Sequence, residues 1–249
     1  MRSQIEQEID ANHAVFFKRW TAEAEKNWKS LSQGDVYKHS YRRICSLQAV
    51  KTHLILPHYS PGSSAFFFEA HNDALVSHVS ASIGAWRSAL KALRSCQENI
   101  LAAIYFNEHP IELELWESGK FRIGFAELLR YMERHPRLAG FGPQISGVVT
   151  LASEFETLSK AVHASAANFR MTDSVSSVLL WSSDARKRAM WATRERKVIE
   201  GVSLLLVCLH SAMLQGTALT PLRSVLSFSI TPSNRKRLKQ VTKVHIPEH

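Results

Sequence analysis

The chain has 249 residues, which is enough for one large domain or two modest ones with a sizeable buried core. Hydrophobic residues make up 45% and charged residues 21%, which excludes a globally disordered chain, and the ten Gly and eight Pro exclude collagen-like and low-complexity classes. The formal net charge is +9, from 31 Lys and Arg residues against 22 Asp and Glu residues.

Helical periodicity begins near the start of the chain. Residues 5–31 carry apolar side chains at helical spacing and predict a first helix, which a break at Gly34 and Asp35 ends. Residues 36–56 predict a second helix. The Pro- and Gly-containing residues 57–62 predict a loop, which is the best boundary between an N-terminal arm and the main body.

The middle of the chain is the most regular part, with four apolar stripes at helical spacing. The stripes are Phe68, Leu75, Val79 and Ile83; Trp86, Leu90, Leu93, Ile100 and Ile104; Phe121, Phe125, Leu128, Leu129 and Met132; and Ile145, Val149, Ala152, Phe155, Leu158 and Val162. Gly84 joins the first two helices by a tight turn, which predicts an antiparallel pair. Pro110 stops the second helix, and residues 111–119 are predicted as a connection. The four stripes together predict a helical bundle.

The last third of the chain begins with a long predicted helix over residues 184–214, which is basic at first and then apolar. Its apolar run, residues 198–214, contains Glu200 and His210 and falls short of the about 20 apolar residues of a membrane span, so it predicts a buried helix. Residues 225–230 alternate in a way that suits a strand, and Ser233 is placed to cap a short basic helix.

Most of the net positive charge lies in this last part. Residues 181–249 contain 12 basic and 4 acidic residues, whereas residues 1–180 contain 19 and 18. Two clusters contribute most of it: Arg186, Lys187, Arg188, Arg194, Arg196 and Lys197; and Arg235, Lys236, Arg237, Lys239 and Lys243. This asymmetry predicts contact with a polyanion, most often nucleic acid, although solvated helix faces would have the same composition. Trp191, inside the first cluster, could stack on a base or pack in the core, and the core is the favoured interpretation.

The cysteines and the chain start bear on metal binding and location. Cys45, Cys96 and Cys208 are odd in number, far apart and without a C-x-x-C pair, so we expect small buried residues in a reducing compartment. The acidic, polar start does not have the pattern of a secretory signal, so we expect a cytoplasmic protein. We expect no metal and no other cofactor.

The sequence does not contain the phosphate-binding loop, the dinucleotide-binding loop, the hydrolase nucleophile elbow or the H-E-x-x-H metal motif. His71 and His78 share a face of one predicted helix, with Asp73 near the opposite side. These residues could bind a metal only if another element completed the site, and the alternative is polar-face histidines.

Three groups of residues are catalytic candidates. Arg94 and Glu98 have the spacing of an intrahelical ion pair, which could instead point inward and form a polar centre. Arg130 and His135 suit metal-free RNA cleavage, because an imidazole transfers protons and a guanidinium holds a phosphate. His163 closes the fourth predicted helix, where it is either functional or a C-terminal histidine that the helix dipole favours.

Residues 74–99 resemble the opening helical hairpin of HEPN-like proteins. That hairpin has a turn residue, an aromatic residue and a helix of the form A-x-x-x-L-R-x-x-x-E, and the matching residues are Gly84, Trp86, Ala89, Leu93, Arg94 and Glu98. Residues 158–165, LSKAVHAS, resemble the closing helix of some of these proteins, in which a histidine near the end is the active-site histidine. The resemblance covers about residues 65–170.

The resemblance implies an all-α bundle that usually dimerises. It also implies metal-independent ribonuclease activity from an Arg-x(4–6)-His motif shared across the dimer, often in toxins and antiviral defence. By position the family's histidine falls on His163, but the four to seven residues before it include no Arg. The intact spacing, Arg130 and His135, lies on the third helix.

We therefore expect an all-α helical bundle with an N-terminal arm (1–60), a HEPN-like core (61–170) and a basic C-terminal region (171–249). The expected function is RNA binding or metal-independent RNA cleavage, with RNA favoured over DNA, and the resemblance implies a ribonuclease effector of a bacterial antiviral-defence or toxin system. In cleavage, His163 or His135 would be the acid or base, Arg130 or Arg94 would hold phosphate, and Glu98 would orient a basic partner. The alternative is a non-enzymatic subunit of a larger nucleoprotein defence complex, which would bind nucleic acid or a partner protein through the basic C-terminal region. Either a homodimer or a subunit of a larger complex is expected, without a membrane.

Overall fold

The computed structural model describes residues 2–163, 182–217 and 219–248. Within these ranges the regular elements are helices and no strand is present, so the predicted all-α fold is confirmed. The α-helices are α1 Gln4–Ser32, α2 Asp35–Val50, α3 Leu56–His58, α4 Pro61–Ser82, α5 Trp86–Glu108, α6 Pro110–Glu117, α7 Phe125–Glu133, α8 Val148–Val162, α9 Ala185–Leu209, α10 Ser211–Leu214, α11 Thr220–Leu226 and α12 Pro232–Thr242. None of the helices in these ranges combines the length and apolar composition that crossing a membrane requires.

The two N-terminal helices form at the predicted positions. Ser3 and Glu6 cap the start of α1 reciprocally in a capping box. The break at Gly34 is confirmed, because α1 ends at Ser32 and Gly34 is the N-cap residue of α2. The predicted second helix is divided, since α2 passes at Val50 into a π-helical segment, Lys51–Ile55, that leads to α3.

Helices α4 and α5 make the most extensive helix–helix contact of the described chain. Gly84 joins them with a φ of 80°, a left-handed conformation that glycine adopts without a steric penalty. The amide of Asn27 in α1 donates to the carbonyl oxygens of Ala81 and Ser82, both at 2.7 Å, and so closes the end of α4. The predicted helical hairpin is confirmed.

The buried face of α4 differs from the predicted stripe. Ala70, Ala74 and Ala81 are buried, whereas Val79 is exposed and Leu75 is only partly buried. Small side chains let the two helices approach closely, and close packing outweighs the gain from burying one larger aliphatic residue. The stripe that contains Val79 is therefore wrong as a core face.

Helix α9 is the central element, and it contacts α2, α5 and α8. All residues from 198 to 209 are buried, so the predicted buried helix is confirmed, although it ends at Leu209 and α10 follows separately. Helix α8 crosses α9 closely at Gly147, which has a φ of 78°. A Cβ at Gly147 would lie 2.3 Å from the carbonyl oxygen of Gly201, so this crossing requires glycine.

Two local predictions are wrong. Residues 111–119 are not a simple connection, because α6 begins at Pro110; proline ends α5 but is well tolerated in the first turn of a helix. Residues 225–230 are not a strand. Val225 and Leu226 belong to α11, in which the buried Leu222 and Leu226 lie one helical turn apart, and residues 227–230 follow the helix as a turn and a bend.

The core draws on most helices. One cluster of buried apolar residues includes side chains from α2, α4, α5, α7, α8, α9, α11 and α12. A second cluster, around Trp86 and Trp191, lies where the starts of α5 and α9 meet α4 and the end of α8. The expected boundary between core and C-terminal region, at residues 170 and 171, lies outside the described residues.

Candidate nucleic-acid interface

Helix α12 carries four cationic residues and no acidic residue. Lys236, Arg237 and Lys239 are exposed, and Arg235 is half-buried. Leu238, between them in sequence, is completely buried in the core cluster. Because one face of the helix is anchored by Leu238, the three exposed cations are held on a fixed surface that faces solvent.

The start of α12 is bonded to α9 through a single carboxylate. One oxygen of Glu200 accepts hydrogen bonds from the backbone N–H of Thr231 at 2.8 Å, from its hydroxyl at 2.6 Å and from the amide of Asn234 at 2.8 Å. Thr231 is the N-cap residue of α12, so this carboxylate also accepts from one of the backbone N–H groups that a helix start leaves without an intrahelical partner.

The predicted cluster on α9 is partly engaged within the protein. Arg194 donates to both carboxylate oxygens of Glu154, at 2.9 and 3.0 Å, and the Lys197 ammonium lies 3.3 Å from the same group. Arg188 donates to the hydroxyl of Ser30. In this cluster Arg186 and Arg196 are exposed, whereas Lys187 is half-buried. The α9 cluster therefore offers less unneutralised charge to a ligand than its sequence suggests.

Trp191 belongs to the core, as favoured from the sequence. Its side chain is completely buried, and its indole N–H donates to the Ser77 hydroxyl at 3.0 Å. The ring lies 6.4 Å from that of Trp86, between centroids. Stacking of this indole on a base is therefore excluded by its burial.

Arg94 and Glu98 form the ion pair that their spacing suggests, at 3.1 Å along α5. The Arg94 guanidinium also lies 4.6 Å from the ring centroid of Phe155 in α8. Burial raises the pKa of Glu98, and the charge of Arg94 opposes this rise. The pair is about one-third exposed, so it lies at the edge of the α5–α8 contact rather than in a closed polar centre.

His163 is exposed immediately after the last residue of α8. A guanidinium from α5 binds this helix end: Arg87 donates to the carbonyl oxygens of Ala161 at 3.2 Å and Val162 at 2.7 Å. A cation at these carbonyls stabilises the negative end of the helix. No local spacing could have identified Arg87, because it lies in a different helix.

Arg130 and His135 are engaged with different groups. Arg130 is exposed, and its Nε donates to the carbonyl oxygen of Ala126, one turn earlier in α7. His135 is buried, with Nε2 at 2.8 Å from a carboxylate oxygen of Glu108, while Nδ1 accepts from the backbone N–H of Arg137 at 3.1 Å. Because Nδ1 accepts a hydrogen bond, Nε2 carries the ring proton and donates a hydrogen bond to Glu108. The two side chains share no contact.

Glu108, at the end of α5, is the centre of this group. The Tyr131 hydroxyl donates to the carboxylate oxygen that His135 also contacts, and Arg137 lies 3.7 Å from the other oxygen. Burial alone would raise the pKa of Glu108, but the hydrogen bonds and the charge of Arg137 together hold it below its usual value. Desolvation and the Glu108 charge raise the pKa of Tyr131. We call Glu108, Tyr131, His135 and Arg137 the Glu108 cluster.

A cleft of about 470 Å³ lies beside the Glu108 cluster. Its lining includes Arg137, Leu209, His210 and Met213. His210 is buried, with Nε2 at 3.0 Å from the Tyr59 hydroxyl. Burial and then the charge of Arg137 lower the pKa of His210 to about 4. Tyr59, Glu108, Arg137 and His210 were not predicted, because they come from four separate segments that only the fold brings together.

The residues considered for a metal site point to different neighbours. His78 is bonded to Ser40 at 2.9 Å and stacked on Tyr37, with 3.6 Å between ring centroids. Asp73 accepts instead from Asn99 of α5. In the part of the chain that the structure describes, no three His, Cys, Asp or Glu side chains are grouped in a way that could hold a metal ion.

Comparisons with protein-family models, curated proteins and solved structures find no match for this chain. The resemblance to HEPN-like proteins therefore stays a prediction from the residues of the α4–α5 hairpin and of the end of α8. The roles that this resemblance implies for His163 and Arg94 stay predictions for the same reason.

Proposed function

We propose that this protein binds nucleic acid, with RNA favoured over DNA, through the exposed cations of α12. The observation that carries the proposal is a surface helix with four basic residues, no acidic residue and a firm anchor in the core. Phosphate groups supply most of the affinity of such contacts, because their neutralisation releases bound counterions. RNA is preferred here because the HEPN-like resemblance implies it.

Helix α9 extends the same surface with one residue. Arg196 is exposed and lies one helical turn before Glu200, which holds the start of α12. Residues four apart lie on one face of a helix, so Arg196 faces the same side as α12. Arg194 and Lys197 contribute less, since they already neutralise Glu154.

The direct test is binding of a fluorescently labelled single-stranded RNA of about 20 nucleotides, followed by anisotropy in EDTA. Changing Lys236, Arg237 and Lys239 together to Gln should weaken binding about a hundredfold at low salt, since each phosphate contact contributes about 1 kcal/mol. The matched control changes three exposed lysines of α1, Lys18, Lys26 and Lys29, to Gln. Equal losses in both variants would show that net charge alone, not α12, determines binding.

Metal-independent RNA cleavage is a second candidate function, favoured by the Glu108 cluster and its cleft. Cleavage without a metal needs a base for the 2′-OH and a cation for the phosphate. Arg137 is about 60% exposed and lines the cleft, where it could hold a phosphate. His210 also lines the cleft, and a pKa of about 4 leaves its imidazole neutral at pH 7.

Cleavage of labelled RNA in EDTA tests this second candidate. His210→Gln and Arg137→Gln should abolish cleavage, whereas Arg130→Gln, on an exposed arginine of the same region, should not. Loss of activity in His163→Gln alone would assign catalysis to the end of α8, as the HEPN-like resemblance implies. RNA binding without cleavage by the wild-type protein would refute the ribonuclease activity and leave the binding function.

A second copy of the chain is the partner that the first half of α1 fits best. Residues 2–19 are all exposed, and Ile5, Ile9 and Phe16 form one apolar stripe. Glu8 and Arg19 flank this stripe on the same side. An antiparallel pair of α1 helices would place Ile9 against the second copy's Phe16 and Glu8 near the second copy's Arg19, so the face is self-complementary. We propose a homodimer formed in this way.

Light scattering coupled to size exclusion tests the homodimer. The wild-type protein should have twice the mass of one chain at micromolar concentration, and Ile9→Glu should give the mass of one chain because it places a carboxylate inside the stripe. The control is Val36→Glu, at an exposed valine of α2. A monomer at every concentration would contradict the proposal and favour a different partner for α1, as in a larger complex.

A further inference from the structure

A polar cleft of about 500 Å³ lies between α2, the turn after α11 and α12, away from the Glu108 cluster. Its lining residues are His39, Arg42, Arg43, Ser227, Phe228 and Arg235. Three guanidinium groups and an imidazole therefore border one depression. Sequence inspection did not connect them, because His39, Arg42 and Arg43 come from a helix outside the basic C-terminal region.

Among the residues that the structure describes, only one of the three arginines has a carboxylate partner. Arg43 is buried and forms a close ion pair with Glu195, at 2.7 Å from Nε and 2.5 Å from Nη2. Arg42 and Arg235 have no carboxylate within ion-pair distance in the described ranges. Arg235 donates through Nη1 to the carbonyl oxygen of Pro247 at 2.6 Å, a neutral partner that leaves its charge uncompensated.

The cleft also has an aromatic wall. Phe228 is 39% exposed, and the Arg42 guanidinium lies 5.6 Å from its ring centroid. An exposed aromatic ring beside arginines is the combination that binds a nucleotide, because the ring stacks on a base while guanidinium groups hold phosphate oxygens. A purely inorganic anion would make no use of the ring.

We infer that this cleft binds one nucleotide unit, with its phosphate between Arg42 and Arg235 and its base against Phe228. The inference rests on the proposed function, since Arg235 belongs to α12, and it names a defined subsite beside the exposed cations of that helix. Phosphate ester oxygens are the shared chemistry of two sources, a free nucleoside monophosphate and a unit within an RNA chain.

Calorimetric titration of the full chain with inorganic phosphate, with adenosine 5′-monophosphate and with the single-stranded RNA tests the inference. The monophosphate should bind more tightly than phosphate, and Arg42→Gln and Arg235→Gln should each weaken it about tenfold, the loss expected for one charge-assisted hydrogen bond. Phe228→Ala should weaken the monophosphate but not phosphate. The control is Lys26→Gln, which removes an exposed charge of α1 and should change neither.

Several outcomes would overturn the inference. The inference is overturned if the monophosphate does not bind at millimolar concentration. It is also overturned if the Arg42→Gln and Arg235→Gln variants bind the monophosphate as tightly as the wild-type protein does. The α12 triple variant is the protein with Lys236, Arg237 and Lys239 all changed to Gln. If the subsite tests fail but the α12 triple variant still loses RNA binding, the proposed function stands and the subsite alone is wrong. If the monophosphate binds as described while the α12 triple variant keeps full RNA affinity, the subsite stands and the proposed interface is wrong. A unit within RNA is the source if Arg42→Gln also weakens RNA, and a free nucleotide is the source if it does not.

Discussion

At the scale of single residues, two buried histidines make the folded state sensitive to acid. Burial first, and then the charges of Arg43 and Arg137 respectively, lower the pKa values of His78 and His210 to about 4. An unfolded chain protonates these imidazoles near their ordinary pKa of 6.5. The unfolded state therefore binds more protons between pH 6.5 and pH 4, and the free energy of unfolding falls as the pH is lowered through this window.

Each histidine should contribute about 2 kcal/mol to this loss between pH 7 and pH 4.5, after allowance for partial screening. Urea unfolding of the wild-type protein and of His210→Asn at the two pH values measures it. The stability difference between the two pH values should shrink in His210→Asn and stay unchanged in His163→Asn, at an exposed histidine. If the stability difference between the two pH values is unchanged in His210→Asn, the pKa of this imidazole is the same in the folded and the unfolded protein, which would contradict the prediction.

A second residue-scale prediction separates structural from ligand-binding arginines on α9. Arg194 holds the buried Glu154, whereas Arg196, two residues later, is exposed. Arg194→Gln should lower the free energy of unfolding by about 1–3 kcal/mol, because Lys197 is then the one cationic partner left to Glu154 among the described residues. Arg196→Gln should leave stability within about 0.5 kcal/mol and weaken RNA binding instead. Thermal unfolding and anisotropy, measured on both variants, should show opposite patterns; the same pattern in both would contradict the division.

At the scale of helices, the crossing of α8 and α9 depends on a glycine. Gly147 has a positive φ, and a Cβ there would meet the backbone of Gly201, which cannot move aside as a side chain can. Gly147→Ala should therefore cost more than about 2 kcal/mol. Gly119 has a similar φ of 73° with nothing within 4 Å of an added Cβ, so Gly119→Ala should cost only the strain of about 1 kcal/mol. Equal losses in chemical unfolding would show that the helices can separate at this crossing.

Helix positions could largely be predicted from the sequence, because apolar spacing and Gly or Pro breaks are local signals. The start of α2 after Gly34 and the buried run of α9 were found in this way. The buried face of α4 was not, since alanine and serine give little apolar contrast around the helix. The start of α6 at Pro110 was also missed, because proline can end one helix and begin the next.

The sites were harder to predict than the helices, because their members come together only in the fold. The α12 cations are consecutive enough to be recognised from sequence alone. The neutralisation of Arg194 by Glu154 could not be foreseen, since 40 residues separate them. The contact between His135 and Glu108 could not be foreseen for the same reason. The spacing of Arg130 and His135 suggested that these two side chains act together, but spacing along the sequence does not say which other helix supplies a partner.

At the scale of the whole molecule, folding determines which of the C-terminal cations are neutralised or buried and which stay exposed. Part of the basic C-terminal charge is neutralised inside the protein by Glu154, and Arg223 is buried with donors to Leu214 and Thr220. Exposed cations of the C-terminal region include Lys236, Arg237 and Lys239 of α12 and Arg196 of α9, and Arg42 of α2 lines the polar cleft together with Arg235.

The most direct test of this account is the salt dependence of RNA binding by the wild-type protein and the α12 triple variant. If Lys236, Arg237 and Lys239 contact phosphates, the slope of the logarithm of affinity against the logarithm of salt concentration should become shallower by about 2 in the variant, since each contact to a single strand contributes about 0.7. The α1 control variant should keep the wild-type slope. An identical slope in wild type and the α12 variant would show that RNA does not contact this helix and would contradict the central claim.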